Sequence, residues 1–403
     1  MNFLQNILKS ENQEIKRFNN NIKNGRREML TRDLTKNNID VNSETKNGET
    51  PAYCAISTNK PWEFELLLIN DLDLKKPIKG PKSVVWQSVK DCVMSYHNVT
   101  MLKSLEEFGE KIDYKSEYAK KCMFDACKKG DINYLEFMIE KNGFDGSWRD
   151  ESGASLLLSF MRTMDPNKIT PRHMAIMDKF MDSPEQINAV LNPRSTDEIL
   201  EEIESRRSPG DIPAVLRGHG YTEKDFIRRD DAPPAIQEGE SPTEIFANWF
   251  PKLANKYRGD LDTQRNQEKA LSSLSVLRDK ILKNADISSA SHEVLIDLIN
   301  NTKYLNGKDQ NNKSKNPEDL MFKRNQVNEF DANSETFSMA AARKNDVNLF
   351  SRAVNNFGAD IKIKNKDGFD SGDIAKKAGS FDVSVKIKSI NKKAKNNDGL
   401  ERG

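Results

Sequence analysis

Net charge is nearly absent from this 403-residue sequence: 63 Lys and Arg stand against 62 Asp and Glu, a formal charge of +1. A general nucleic-acid binder carries a clear basic excess, so that class is set aside. Cysteine is scarce. Cys54, Cys92, Cys122 and Cys127 all fall in predicted helices, and the Cys122/Cys127 spacing does not fit a zinc pair. They read as reduced, buried small hydrophobes with no metal site. No apolar run approaches the ~18 residues of a membrane span, and the opening MNFLQNILKSENQ lacks the continuous apolar stretch of a secretory signal. The expectation is a chain without a transmembrane segment, cytoplasmic where it is made. Motifs of chemistry are missing too: no Gly-x-Gly-x-x-Gly, phosphate loop, His-Glu-x-x-His or Gly-x-Ser-x-Gly occurs. The histidines His97, His173, His219 and His292 lie far apart, and none sits beside a nucleophile. No cofactor and no catalytic residue is expected.

What the chain does contain is an internal repeat. Residues 126–153, ACKKGDINYLEFMIEKNGFDGSWRDESG, recur without a gap at 341–368 as AARKNDVNLFSRAVNNFGADIKIKNKDG. Ala126 pairs with Ala341, Asp131 with Asp346, Gly143 with Gly358, Asp145 with Asp360 and Gly153 with Gly368, always 215 apart (341 − 126). Within the unit Tyr134, Leu135, Met138 and Ile139 share one helix face. A Gly-x-Asp stop follows, in which Gly143 is expected to take the left-handed conformation that ends a helix. A third copy stands upstream: Gly48-Glu49-Thr50-Pro51-Ala52-Tyr53-Cys54-Ala55, then Phe64, Leu66, Leu67 and Leu68, then Asp73. Asp40 to Asp73 spans 33 positions (73 − 40), and Gly25 to Asp40, Gly130 to Asp145 and Asn345 to Asp360 are each 15 (for example 40 − 25). With 36% hydrophobic and 31% charged residues, the composition suits an extended array better than one large core.

These residues resemble the ankyrin repeat, whose opening is Gly-x-Thr-Pro-Leu-His and whose unit is a helix–turn–helix–hairpin of about 33 residues. The resemblance covers 21–182 and 337–390. It departs where the family's His would stand, at Tyr53, Leu158 and Asp373, and where Thr-Pro becomes Ser155-Leu156 and Asp370-Ser371. It implies an all-α, ankyrin-like helical repeat solenoid interrupted by a helical insertion. The expected division is an N-terminal capping helix at 1–20, repeats at 21–182, the insertion with linkers at 183–330, repeats again at 331–390, and a flexible tail at 391–403. The degenerate unit at 76–115 carries a valine stripe, and His97 reads there as a surface or capping residue. Met174, Met177, Phe180 and Met181 read as core. In the insertion, Ser195-x-x-Glu198 and Ser241-Pro242-Thr243-Glu244 are capping boxes. Helices are expected near 196–206, 242–256, 262–284, 290–300 and 318–328. The linker at 232–241 and the polar stretch at 302–316 separate them.

Ankyrin arrays bind proteins along the concave face made by hairpin tips and inner helices. The resemblance therefore implies a non-enzymatic scaffold for a protein partner. The matching tips are 44–47, 148–151 and 364–367, and the candidate protein-binding residues are Lys46, Asn47, Trp148, Arg149, Lys364 and Lys366. Trp148 and Arg149 stand out because exposed Trp and Arg are enriched at binding hot spots; the competing reading has Trp148 covering a neighbouring loop. Two rival functions stay open. The insertion could be a catalytic or effector module, with Arg217-Gly218-His219-Gly220-Tyr221 as its most site-like fragment, or the chain could be a structural part of a larger assembly. Ankyrin-repeat proteins of intracellular bacteria are often delivered into a host cell, which the resemblance adds as an alternative location.

Overall fold

The computed structural model describes residues 2–36, 39–80, 84–141, 143–189, 241–259, 264–285, 291–301, 327–331 and 333–400. These residues are mostly helical, with a single two-stranded hairpin among them. The chain divides into two compact units, Met1–Asp145 and Gly146–Gly403.

The first unit is four helix pairs: α1 (Asn2–Lys23) with α2 (Arg27–Lys36), α3 (Pro51–Ser57) with α4 (Pro61–Ile69), α5 (Val89–Ser95) with α6 (Val99–Glu107), and α7 (Glu117–Lys129) with α8 (Ile132–Glu140). Local sequence sets where each helix starts. Thr50, Ser88, Asn98, Ser116 and Asp131 sit at N-caps and accept the amides of Tyr53, Asp91, Met101, Ala119 and Tyr134, each worth about 1 kcal/mol. The turn inside a pair needs one left-handed residue: Asn59 (φ 51°), His97 (φ 53°) or Gly130 (φ 66°). These are residue types that tolerate it. From α2 to α6 and in α8 the helices are too short to persist alone, so packing holds them. The first helices of successive pairs lie side by side (α1–α3–α5–α7), as do the second helices α4, α6 and α8. Phe18, Ile22, Phe64, Cys92, Leu102, Met123 and Tyr134 are fully enclosed between them. The hairpin, β1 (Ile78–Lys79) antiparallel to β2 (Val85–Trp86), pairs Ile78 with Trp86 and packs against α3 and α5.

In the second unit the row of first helices runs α9 (Leu156–Thr163), α12 (Pro242–Gly259), α14 (His292–Asn300), α15 (Phe337–Arg343) and α17 (Ser371–Lys377). Their companions are α10 (Pro171–Phe180), α13 (Gln264–Asn284), α16 (Val347–Phe357) and α18 (Phe381–Leu400), with the short α11 (Pro184–Ile187) between α9 and α12.

Several expectations meet a different arrangement. The described helices of the expected insertion are in line with the others, between α9 and α15, and the boundary between compact units falls at 145/146, not at 182 or 330. The reason is that α12 and α13 bury the same kind of face, through Phe246, Phe250, Leu253 and Tyr257, and through Leu274, Leu277 and Ile281. They are 18 and 21 residues long against 7 to 9 for α3 to α6. Their length breaks the sequence period while the row of helices continues. The 241–244 capping box forms, with Glu244 Oε2 accepting the Ser241 amide at 3.0 Å. At the N-terminus the expected helix is present as α1, which runs to Lys23 and packs on α2 and α3. At the other end α18 stays helical to Leu400 instead of ending before a flexible tail at 391. Gly143 is not left-handed; a Cβ there would lie 3.0 Å from Tyr114 Cβ and 3.1 Å from the Met138 carbonyl, so close approach demands the glycine. Its counterpart Gly358 does take φ 70° and caps α16. The expected helices at 196–206 and most of 318–328, the Ser195/Glu198 box, the 302–316 stretch, nearly all of the 232–241 linker and the 217–221 fragment lie outside the described residues.

Candidate protein-interaction surface

Four tips share one geometry. In each, the amide of a residue donates to the carbonyl four places on, and the amide three places on donates back: Thr45 with Glu49 and Gly48, Asp150 with Ala154 and Gly153, Asp331 with Glu335 and Ser334, Asn365 with Phe369 and Gly368. The returning residue is left-handed each time, with φ 79° at Gly48, 80° at Gly153, 61° at Ser334 and 80° at Gly368. The leading side chain locks the tip from inside. Thr45 Oγ1 accepts the Glu49 amide, Asp150 Oδ1 those of Ser152 and Ala154, Asp331 Oδ1 those of Asn333 and Glu335, and Asn365 Oδ1 those of Asp367 and Phe369. Each leading residue stands five positions before the N-cap of a first helix: Thr50, Ser155, Thr336 and Asp370. The tip at 331–335 falls at the start of the expected 331–390 repeats and carries Ser334 where the others have glycine.

A second recurring device joins neighbouring tips. Asn42 donates to the Asp71 carbonyl (3.0 Å) and accepts the Asp73 amide (2.7 Å). In the other unit Asn328 donates to the Gly358 carbonyl (3.2 Å) and accepts the Asp360 amide (2.8 Å). Between helix pairs, His97 spans the joint: it is stacked on Tyr134 at 4.5 Å and places its ring nitrogens 3.4 Å from Asp131 and Asp125. It is buried, not a surface residue. Its hydrogen bond is the main reason the Asp131 carboxyl lies below the ordinary aspartate value.

The sequence candidates fare unequally. Lys46 and Asn47 are exposed on the first tip, and the Lys46 amide donates to Asn12 Oδ1 at 2.9 Å. Lys364 and Lys366 are exposed on either side of the buried Asn365. Trp148 is not exposed: 9% of it meets solvent. Arg149 is occupied by the carbonyls of Gly146 (3.1 Å), Trp148 (2.8 Å) and Glu185 (2.6 Å), and burial lowers its pKa. The premise of an exposed Trp–Arg pair is therefore corrected; both brace the 146–149 loop. Trp249 and Phe250 are buried in α12.

Two surfaces remain. In the second unit a cleft of about 460 Å³ is lined by the 333 and 365–369 tips and by Glu293, Glu335, Arg343 and Lys377. Arg343 is closed on Glu335 and on Glu293 (3.1 Å), and Lys377 Nζ lies 3.1 Å above the Phe369 ring. In the first unit Tyr53 of α3, Trp86 of β2 and Tyr96 at the end of α5 form a cluster with centroids 6.0, 6.4 and 5.8 Å apart. Tyr96 (38% exposed), Val84 (46%) and Val85 (50%) are open to solvent beside it. Only the fold assembles this cluster; its members share no spacing that sequence inspection could use. All four cysteines are buried free thiols; burial raises Cys54 and Cys122 to about 12, so no reactive nucleophile appears among them. Among the described residues there is no cluster that could hold a metal ion and no helix long and apolar enough to cross a membrane. No family model and no curated protein sequence matches the chain.

Proposed function

We propose that this chain is an ankyrin-like solenoid that holds a partner protein through its tips and first helices, without catalysis. The observation that carries the reading is the fourfold recurrence of the locked tip, each time five residues before a first-helix N-cap. The stacked helix rows and the Asn42 and Asn328 bridges support the same architecture. Repeats that contact only their neighbours create long open faces, which serve recognition better than a buried reaction centre. Function itself rests on analogy at the level of fold. The test is affinity capture on the full chain, read by mass spectrometry, with Lys46→Glu in the first unit and Lys364→Glu/Lys366→Glu in the second. Loss of a specific captured protein with an unchanged helical spectrum supports the reading. Capture that is indifferent to both tip variants and to Trp86→Ala removes it.

A further inference from the structure

We propose that the Tyr53–Trp86–Tyr96 cluster is a docking site for an extended, uncharged, proline-containing segment of the partner protein. The inference rests on the scaffold reading above and specifies where its recognition is concentrated. Trp and Tyr are the residue types that dominate binding hot spots, because they offer large rigid faces with a polar handle. Tyr53 and Trp86 lie nearly parallel, 25° apart at 6.0 Å, and Tyr96 stands across them at 73° and 53°. The centroid distances are those of ordinary aromatic pairs, so each ring is partnered by the others. What is offered is outer faces, flanked by the exposed Val84 and Val85.

Hydrogen-bonding capacity narrows the occupant. Tyr96 Oη donates to Tyr53 Oη at 3.3 Å, which leaves the Tyr53 hydroxyl proton without an acceptor among the described residues. The Trp86 indole N–H has none either. Two donors beside apolar faces match a polyproline II segment, whose backbone makes no internal hydrogen bonds and keeps its carbonyls free. Charge agrees. Tyr53, Val84, Val85, Trp86 and Tyr96 are all neutral, and the hairpin's Lys79 is turned to Glu44 at 3.5 Å. A charged segment would be desolvated against these rings with no ionic partner among them. The seat is built for the indole: a Cβ on Gly80 would come 2.5 and 2.6 Å from Trp86 Cζ3 and Cη2.

Fluorescence anisotropy of a labelled oligoproline, titrated with the full chain, tests this. A Gly-Ser peptide and an oligolysine of equal length serve as controls. Oligoproline should bind above both controls, and Trp86→Ala should weaken it by at least about tenfold, as loss of a hot-spot aromatic does. Gly80→Ala keeps every ring yet displaces the indole, and should weaken binding as well. Tyr53→Phe removes one hydroxyl and keeps the packing, so its several-fold loss is readable even if Trp86→Ala fails to fold. Oligoproline binding no better than Gly-Ser, or unaffected by Tyr53→Phe and Gly80→Ala, overturns the inference. So does stronger binding of oligolysine, or self-association of the chain that Gly80→Ala abolishes, which would give the patch to a cation or to a second copy. If oligoproline fails while Trp86→Ala still strips a captured protein, the occupant is wrong and the scaffold reading survives.

Discussion

Asp331→Ala probes the tip that turns on Ser334 where the other three turn on glycine. The residue is 6% exposed. Its Oδ1 accepts the amides of Asn333 and Glu335, both at 2.9 Å, and its Oδ2 accepts the amide of His292 at 2.7 Å. Alanine strands all three. Asn333 is exposed and can turn to water, whereas Glu335 and His292 are 4% and 0% exposed. Two buried donors left unmet cost roughly 2–6 kcal/mol together. At about 2–4 °C per kcal/mol for a unit of this size, the melting midpoint should fall on the order of 5–20 °C. Asp331→Asn keeps Oδ1 and strands only the His292 amide, so its cost should be about half. Asn365→Ala, at the equivalent tip, affects the amides of Asp367 and Phe369, which are less buried, and should cost only about 1 kcal/mol. Urea melts followed by circular dichroism give the ranking, and hydrogen exchange at Glu335 and His292 reports the local opening. The reasoning is refuted if Asp331→Ala lies within about 1 kcal/mol of wild type, or if Asn365→Ala costs more.

Other outcomes follow from the same contacts. Gly48→Val places a β-branched residue at φ 79°, with its Cβ 2.9 Å from Lys79 Cδ; the cost should be roughly 1–3 kcal/mol by thermal melt. Trp148→Ala should lower stability by about 3–5 kcal/mol, as for a buried aromatic, and a stable variant that loses only partner capture would contradict its bracing role. Burial lowers the His292 pKa, so the unfolded chain binds the proton more readily than the folded one. Stability from this group is present above the ordinary histidine value of ~6.5 and declines as pH falls below it. The melting midpoint should drop as pH falls below about 6.5 in wild type and fall less steeply in His292→Gln. Asp131, whose carboxyl is lowered first by His97, stabilises the fold above ~3.9 and loses that contribution at more acid pH. Asp131→Asn should make the acid-limb slope shallower, measured by the same melts.

Much of the local structure was legible because short-range chemistry dictates it. The capping box at Ser241 and the helices near 242–256, 262–284 and 290–300 came from hydrogen-bonding types and apolar spacing alone. The 215-residue echo located two of the four locked tips, and the Gly48 copy a third. Conformation at single glycines was less legible. Gly143 and Gly358 align, yet one is needed for contact with Tyr114 and the other for its left-handed φ.

The sequence by itself determined which segments are helices, where they begin and which face of each is apolar, since those depend on neighbours within a turn or two. Only the tertiary structure decided which faces meet. It set α12 and α14 into the row, with α13 as a companion, despite their broken period, buried Trp148 and His97, and gathered Tyr53, Trp86 and Tyr96 from three separate elements. Helix packing depends on complementary surface and not on repeat length, so an 18-residue helix can occupy the place of a 7-residue one and leave no periodic mark in the chain.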